Sequence, residues 1–363
     1  MSKPANLILH IGHYKTGTTA LQVFCAANAA PLAAQGLIYS PFPLKLGKHS
    51  PLAFSLLRDA GVTTLMHGFD APAKAPELWA TLFDAVRSLD AGQTLLVSSE
   101  EFMRLGAHPG AAALLRDIMA TAPDIRVRVI AYLRPPHSHL WSWYNQLIKM
   151  RIKVGSFETA VRSQMEPIHW DYARALAPWI EIFGAEQVEL RQFHDGLRDG
   201  DALYADFLET LGFAVPVTAI TPPRDPNPRL DDRILDIQRA LLRANLPKWM
   251  VDQAATRMAA NLVAEDAQEE LKGTPDLDAI AQAARAGITT LATLPGAALD
   301  LGAMTADLPR IQDNAEARAL RDLVILLAGE LAHLRSLQQQ SALKLIALEK
   351  RLDALLPGAD GDR

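Results

Sequence analysis

The stretch "ILHIGHYKTGTTALQ", residues 8–22, constrains the fold more than any other part of this sequence. It begins with a short apolar run rich in β-formers, which is typical of a buried strand in a parallel sheet. Gly12 follows at once, and the residues after a second glycine, Gly17, have helical composition. A strand, a glycine loop and a helix in this order form the context of a phosphate-binding loop. The lysine, however, comes two residues before the second glycine, whereas in a Walker A loop it directly follows that glycine.

Three further segments predict strands, at residues 93–100, 126–134 and 186–193, and each follows a stretch of helical composition. Strands that alternate with helices indicate an α/β fold, here a doubly wound parallel sheet of P-loop type with helices on both faces. Beyond a proline-rich stretch the composition shifts toward alanine, leucine and charged residues, with no convincing strand. We therefore predict a domain over residues 1–245 and an all-helical C-terminal extension over residues 246–363.

The last segment carries a heptad pattern, with residues from Leu320 to Leu355 that follow an alternating spacing of four and three. One polar layer, at Gln338 and Ser341, interrupts the apolar seam. This pattern predicts a coiled coil over residues 316–356 through which copies of the chain form a homo-oligomer. Apolar residues off the seam also fit an amphipathic helix packed on its own domain, so both interpretations stay open.

The amino-acid composition limits the kinds of molecule that this chain is expected to bind. The formal net charge of −5 over 363 residues argues against binding to nucleic acid or to an anionic membrane through the overall charge of the chain. The single cysteine, Cys25, fits a reducing compartment. The N-terminal residues do not form a signal peptide, and no run of about 20 uncharged apolar residues predicts a transmembrane segment. We expect a cytoplasmic protein whose partner is a small molecule.

The glycine loop has the chemistry of an anion cradle. A turn at the end of the first strand presents successive backbone N–H groups, and the following helix points its positive end at the same spot. Lys15 adds a cation, and Thr18 and Thr19 add hydroxyl groups. A magnesium-dependent kinase would also need an acidic metal ligand, yet no aspartate ends the predicted strands. The loop therefore favours a phosphate that binds without a metal over an ordinary βα turn, and we predict no metal site.

A second constellation follows the third predicted strand in "YLRPPHSHLWSWYNQLIK". Arg134 ends that strand, and the carboxyl edge of an open α/β sheet is where ligands bind. Ser142 lies eight residues further on, within a helical run. An arginine and a hydroxyl group at this spacing can bind a second phosphate, and the arginine can do so with two hydrogen bonds.

These two stretches resemble the sulfotransferases that use 3′-phosphoadenosine 5′-phosphosulfate (PAPS), and "LLVSSEEF" and "WDYARALAPWIEIFGAEQVELRQF" resemble bacterial carbohydrate-type members. The resemblance covers roughly the first two-thirds of the chain. It implies that PAPS is the donor, that no metal is required, and that Arg134 and Ser142 hold its 3′-phosphate. It also implies that Lys15, Gly17, Thr18 and Thr19 hold the 5′ end of the donor. We expect the neighbouring loop residues His13, Tyr14 and Thr16 to bind the cofactor as well.

The acceptor hydroxyl or amine needs a base close to the sulfur. Glu100, just past the second predicted strand, is the candidate, and the resemblance points the same way because carbohydrate-type members use a glutamate there. The alternative is that Glu100 or Glu101 caps the following helix. Glu101 and His49 are weaker candidates for contact with the acceptor, which we expect to be a carbohydrate or glycolipid.

Two other functions stay open at this point. One is a magnesium-dependent P-loop kinase or nucleotide hydrolase with an unusual loop. The other is a non-catalytic scaffold of nucleotide-binding fold that the C-terminal helix assembles. The joint presence of Lys15, Glu100, Arg134 and Ser142 favours the sulfotransferase over both.

Overall fold

The computed structural model describes residues 5–39, 47–65, 73–155, 157–213, 232–253, 274–276, 278–311 and 315–355. The chain divides into two compact units. The first comprises Met1–Trp143, Phe157–Pro228 and Pro275–Ile311, and the second comprises Tyr144–Ser156, Arg229–Thr274 and Gln312–Arg363. The predicted boundary at residue 245 thus falls inside the second unit, and residues 275–311 belong with the first.

A six-stranded sheet in the order β2-β3-β1-β4-β5-β7 forms the centre of the first unit, and all its paired strands are parallel. Its strands are β1 Ala5–Gly12, β2 Leu37–Ile38, β3 Thr94–Ser98, β4 Ile125–Leu133, β5 Val188–Gln192 and β7 Ala297–Ala298. Two further short strands, β6 Thr274–Asp276 and β8 Arg310–Ile311, pair with each other. The predicted parallel α/β fold is confirmed.

Thirteen α-helices are described. They are α1 Thr18–Ala27, α2 Ala29–Ala34, α3 Ser50–Asp59, α4 Ala75–Arg87, α5 Pro109–Ala120, α6 Pro136–Lys149, α7 Phe157–Ser163, α8 Tyr172–Phe183, α9 Ala202–Leu211, α10 Asp232–Arg243, α11 Asp278–Leu291, α12 Leu301–Ala306 and α13 Ala315–Leu355. A 3₁₀-helix at Glu100–Gly106 follows β3. Within the described ranges, no helix is both long enough and apolar enough to cross a lipid bilayer.

All four strands predicted from the sequence are present, but the segment after residue 245 is not wholly helical. β7 pairs with β5 at the edge of the main sheet, through Leu190 and Ala297 and through Arg191 and Ala298. With two residues, β7 is too short to give a periodic signal. The same holds for β2, which pairs with β3 on the other side of the sheet.

The register of the central strands places their carboxyl ends side by side. His10 of β1 lies opposite Ser98, the last residue of β3, and Gly12 lies opposite Ala131 of β4. Residues 7–12 of β1 and residues 129–133 of β4 are all buried because both faces of the sheet are covered. The residues that follow β1, β3 and β4 are therefore brought to one edge of the sheet.

Candidate active site

The loop between β1 and α1 is tightly wound. Gly12 and Gly17 have φ angles of 88° and 80°, and Lys15 between them has a φ of 63°. A left-handed conformation is unusual for a lysine, and such backbone strain clusters at functional sites. α1 begins at Thr18, directly after Gly17. The first N–H groups of a helix have no partner within the helix, so the start of α1 brings such donors close to a lysine.

Two threonine hydroxyl groups form hydrogen bonds with the backbone of the loop. Those of Thr16 and Thr18 both donate to the backbone oxygen of His13, over 2.7 and 2.9 Å. Both threonines are buried, whereas Lys15, Gly17 and Thr19 are partly exposed. The Thr16 and Thr18 hydroxyl groups thus stabilise the shape of the loop through its own backbone.

Glu100 lies directly against the loop. A Cβ atom added to Gly12 would meet Cα and Cβ of Glu100 at 3.0 Å each. Gly12 thus permits a close approach that any side chain would obstruct, in addition to its positive φ. The N-terminus of the 3₁₀-helix is capped by Ser99, whose Oγ accepts from the N–H group of Glu101. The side chains of Glu100 and Glu101 are therefore not needed as caps.

The Glu100 carboxylate is held by two partners. Lys48 forms an ion pair with Oε1, and Nε2 of Gln22 donates to Oε2 over 3.1 Å. Burial by itself would raise the pKa of Glu100, but Lys48 and the hydrogen bonds outweigh it and hold the pKa below its ordinary value. Glu100 is therefore ionised at neutral pH, as a proton acceptor must be.

Glu101 has the opposite electrostatic character. Burial and the neighbouring charge of Glu100 raise its pKa to about 7, although Tyr14, Arg104 and Lys48 act against the rise. The Tyr14 hydroxyl group donates to Oε2 of Glu101 over 2.7 Å. Two adjacent carboxyl groups with pKa values moved in opposite directions are a pattern typical of acid–base sites.

A buried polar network connects Glu100 to the sheet. Gln22, which bonds Glu100, also donates to Oγ of Ser98 over 3.2 Å. The same oxygen lies 2.8 Å from Nδ1 of His10. The register of β1 and β3 places His10 opposite Ser98, so the sheet itself positions this chain of hydrogen bonds. The network limits the orientations open to the Glu100 carboxylate.

Arg134 and Ser142, the residues predicted to bind a second phosphate, lie at the end of β4 and within α6. Arg134 follows β4 directly, and its backbone oxygen accepts from the Tyr172 hydroxyl group over 2.7 Å. Ser142 lies within α6, and both residues are partly exposed. Arg134 and Lys15 are both among the charges that lower the pKa of buried His139, after desolvation and two neighbouring histidines. The two cations therefore lie within electrostatic reach of one ring.

His13 and His49, both predicted to contact ligand, have buried side chains. His13 is fully buried; its Nδ1 accepts from the Tyr14 N–H group, and its Nε2 lies 2.9 Å from the Ile168 oxygen. Both ring nitrogens are thus engaged within the protein. His49 is also fully buried, and its Nδ1 accepts from the Ser98 N–H group over 3.1 Å. His49, predicted as a weaker candidate for contact with the acceptor, has its ring packed against β3 and the ring of Tyr39.

Three buried histidines come together beside the loop, a feature that sequence spacing did not indicate. The candidate ligand atoms of His13, His139 and His169 lie within 4.8 Å of one another. Nε2 of His139 lies 3.0 Å from Nδ1 of His169, and burial lowers the pKa of all three rings. A metal bound through one nitrogen of each ring would displace at least one of the two hydrogen bonds of His13. We therefore assign these neutral rings to packing behind the loop.

The site also contains residues that the sequence analysis missed. Lys48 and Gln22 carried no motif, since a loop lysine and a helical glutamine are ordinary surface residues in most sequences. Tyr14 is predicted to bind the cofactor, and in the structure its hydroxyl group donates to Glu101. Helix α1 begins at Thr18, directly after Gly17, so Gln22 lies just over one turn into the helix and faces β3. The distance of Gln22 from Gly17 along the sequence is therefore the feature from which its position could have been predicted.

Fold and site together define an α/β protein with a glycine loop and a pair of carboxyl groups at one sheet edge. Neither a family model nor a curated protein sequence matches this chain. Among solved structures it is similar to a sulfotransferase from Alicyclobacillus acidocaldarius, with 19% identity and a TM-score of 0.38 over 71% of this chain and 100% of that chain. It is also similar to the sulfotransferase domain of the Synechococcus PCC 7002 olefin synthase, with 16% identity and a TM-score of 0.36 over 70% and 94% of the two chains. At these values the likeness carries no functional argument.

Proposed function

We propose that this chain is a sulfotransferase that moves a sulfuryl group from PAPS to a hydroxyl group or amine of a small-molecule acceptor, with a carbohydrate or glycolipid as the acceptor class. The observation that carries the proposal is the contact between the loop and the base. Gly12 lets Glu100 approach to within van der Waals distance of the turn that carries Lys15. A cation for the leaving group and an ionised carboxylate for the acceptor then lie on one sheet edge, as transfer between two bound substrates requires.

The chemistry of the loop fits the 5′ end of the donor. Backbone N–H groups at the start of α1 and the Lys15 ammonium group would bind the phosphosulfate without a metal. Arg134 and Ser142 would bind the 3′-phosphate, the arginine through two parallel hydrogen bonds. His13, Tyr14 and Thr16 would act indirectly in this scheme, because their polar side-chain atoms bond within the protein.

The proposed reaction is a direct transfer. Glu100 accepts the proton of the acceptor hydroxyl group or amine as the acceptor atom bonds to sulfur. The bond between sulfur and the bridging oxygen breaks, and its electron pair remains on the 5′-phosphate. Lys15 stabilises the negative charge that develops there. The products are the sulfated acceptor and adenosine 3′,5′-bisphosphate, with the proton on Glu100.

The alternative of a magnesium-dependent kinase needs an acidic metal ligand at a strand end. Glu100 is in that position after β3, but Lys48 already forms an ion pair with it. A lysine at this place repels a divalent cation. This contact supports a metal-free transfer over phosphoryl transfer from a nucleotide–magnesium complex.

Transfer of radiolabelled sulfate from PAPS to a panel of sugars, glycolipids and amines tests the proposal. We expect Lys15→Ala and Glu100→Gln each to lower kcat by about 10²–10⁴-fold. Lys350→Met on the exposed surface of α13 serves as the control and should leave the rate unchanged. Full activity in Lys15→Ala, or transfer that requires magnesium and ATP, would contradict the proposal.

A further inference from the structure

The C-terminal helix α13 exposes a long apolar stripe. The helix runs over 41 residues. Six leucines of its heptad seam each expose between 46% and 60% of their surface: Leu327, Leu331, Leu334, Leu345, Leu348 and Leu352. The stretch from residue 327 to residue 352 is about 37 Å long at the rise of an α-helix. An apolar stripe of this length on a surface, interrupted by one polar layer at Gln338 and Ser341, marks an interaction site.

Another face of α13 already packs on its own unit. Ala328 is buried in a cluster with Leu242, Leu246 and Val251, and Ala332 packs against the same cluster. Both alanines lie one position beyond a seam leucine, so this contact does not cover the seam. From residue 333 to residue 352 every residue is exposed within the described part of the chain. The amphipathic-helix interpretation thus accounts for the alanine face of α13 and leaves the leucine seam unexplained.

We propose that a second copy of this chain covers the seam, in a parallel, in-register, two-stranded coiled coil. Seam positions alternate between the a and d sites of the heptad, with leucine at five of the six d sites from residue 320 to residue 355. Leucine at d is typical of parallel dimers. The exception is Ser341, which forms the polar layer with Gln338 at the preceding a site. This proposal does not rest on the catalytic function.

The polar layer fixes the axial register. In a parallel pair without offset, Gln338 faces Gln338 and Ser341 faces Ser341 of the second copy. A shift by one heptad would place Gln338 against Leu331 or Leu345 and leave a buried amide without a partner. Such a mismatch is the means by which a single polar a residue specifies register.

The flanking charges favour the parallel orientation. Lys344 is at a g site and Glu349 at the following e site, so each meets the other across a parallel dimer. Within its own helix neither residue has an opposite charge three or four positions away. An antiparallel pair with the same polar layer would instead place Lys344 beside Leu337 and Glu349 beside Ala328. The interhelical pair therefore gives both charges a partner that one chain alone does not offer.

Sedimentation equilibrium of the full chain tests the assembly, with an expected mass of twice the 39.6 kDa of one chain. The double variant Leu334→Asp/Leu345→Asp should raise the dimer dissociation constant by more than about 100-fold, because it places charges in the seam. Leu343→Asp, equally exposed but off the seam, is the matched control and should leave the dimer intact. Circular dichroism would confirm that each variant folds.

A Gln338→Cys variant tests orientation and register. Equivalent a sites of a parallel dimer are close enough for a disulfide, whereas the antiparallel pair places residue 338 opposite residue 341. The native Cys25 is buried and does not compete. We also expect Lys344→Glu to weaken the dimer about fivefold and Lys344→Glu/Glu349→Lys to restore it. A monomer at micromolar concentration, a trimer or tetramer, a dimer unaffected by the seam variant, or no disulfide at residue 338 would each overturn the proposal.

Discussion

The Tyr14 hydroxyl group donates a hydrogen bond of 2.7 Å to Oε2 of Glu101, and thereby joins the loop between β1 and α1 to the second of two adjacent carboxyl groups. Tyr14 directly precedes Lys15, and Glu101 directly follows Glu100. A change in the protonation of Glu101 therefore acts on the backbone next to the loop lysine. The relationship makes Glu101 a positioning residue in our scheme and leaves proton transfer to Glu100.

Tyr14→Phe should raise the pKa of Glu101 further above its ordinary range. The hydrogen bond lowers this pKa, whereas burial and Glu100 raise it to about 7. Loss of one hydrogen bond to a carboxylate corresponds to a rise of about one unit. The measurement is a pH titration of the protein labelled with ¹³C at the glutamate carboxyl groups. Tyr144→Phe, which removes a hydroxyl group bonded to the Gly155 oxygen, is the control. An unchanged or lower pKa of Glu101 in Tyr14→Phe would show that the hydrogen bond does not form in solution.

Lys48→Met should destabilise the protein at pH 7 by about 1–3 kcal/mol, because it leaves the buried Glu100 carboxylate without its ion-pair partner. Lys48 and its hydrogen bond hold the pKa of Glu100 below its ordinary value, so the variant should move this pKa upward. If Glu100 is the base, the acid limb of the kcat/KM profile moves to higher pH with it. Chemical denaturation and the pH–rate profile measure the two effects.

The double variant Lys48→Met/Glu100→Gln separates the ion pair from simple packing. It removes both charges, so much of the stability lost in Lys48→Met should return while activity stays low. Additive losses of stability in the double variant would instead mean that the pair makes no net contribution. Lys350→Met, far along the exposed helix α13, controls for the loss of a lysine.

Buried histidines should make the protein sensitive to mild acid. Burial lowers the pKa of His49 to about 4, and the same holds for His10 and His13. Between pH 6.5 and 4 the unfolded chain binds protons that the folded chain excludes, so the free energy of unfolding falls as the pH is lowered. One such ring accounts for about 3 kcal/mol over this window.

His49→Asn should flatten this dependence, since asparagine has no titrating ring but offers an acceptor to the Ser98 N–H group. Denaturation midpoints at several pH values measure the slope. At pH 7 the variant is expected to be less stable than the parent chain because the smaller side chain leaves a cavity. His333→Asn, at an exposed histidine, should retain the parent slope. A His49→Asn slope equal to that of the parent would contradict a neutral, buried His49.

The sequence predicted the strands that carry the site because each is a run of β-formers next to a glycine, a carboxylate or an arginine. It placed Lys15, Glu100 and Arg134 at strand ends, and parallel pairing then brings those ends to one edge. What it did not predict depends on distant pairs. Gln22 and Lys48 reach Glu100 from 78 and 52 residues away, and no local pattern encodes such contacts.

The histidines also show what a local sequence pattern cannot predict. His13 and His49 lie near the loop or in a polar stretch of sequence, which favours a prediction of ligand contact. In the structure each is fully buried and bonded to backbone groups of remote segments. Whether a histidine faces a ligand or the core depends on which strands enclose it, and the sequence near the residue does not contain that information.

Calorimetric titration of adenosine 3′,5′-bisphosphate into the purified full-length chain, with and without magnesium, tests the donor site most directly. The account predicts micromolar binding that magnesium does not change, that ATP does not match, and that Arg134→Ala weakens by about tenfold or more through loss of a bidentate phosphate contact. No binding of the bisphosphate, or tighter binding of ATP in the presence of magnesium, would contradict the account and favour a kinase.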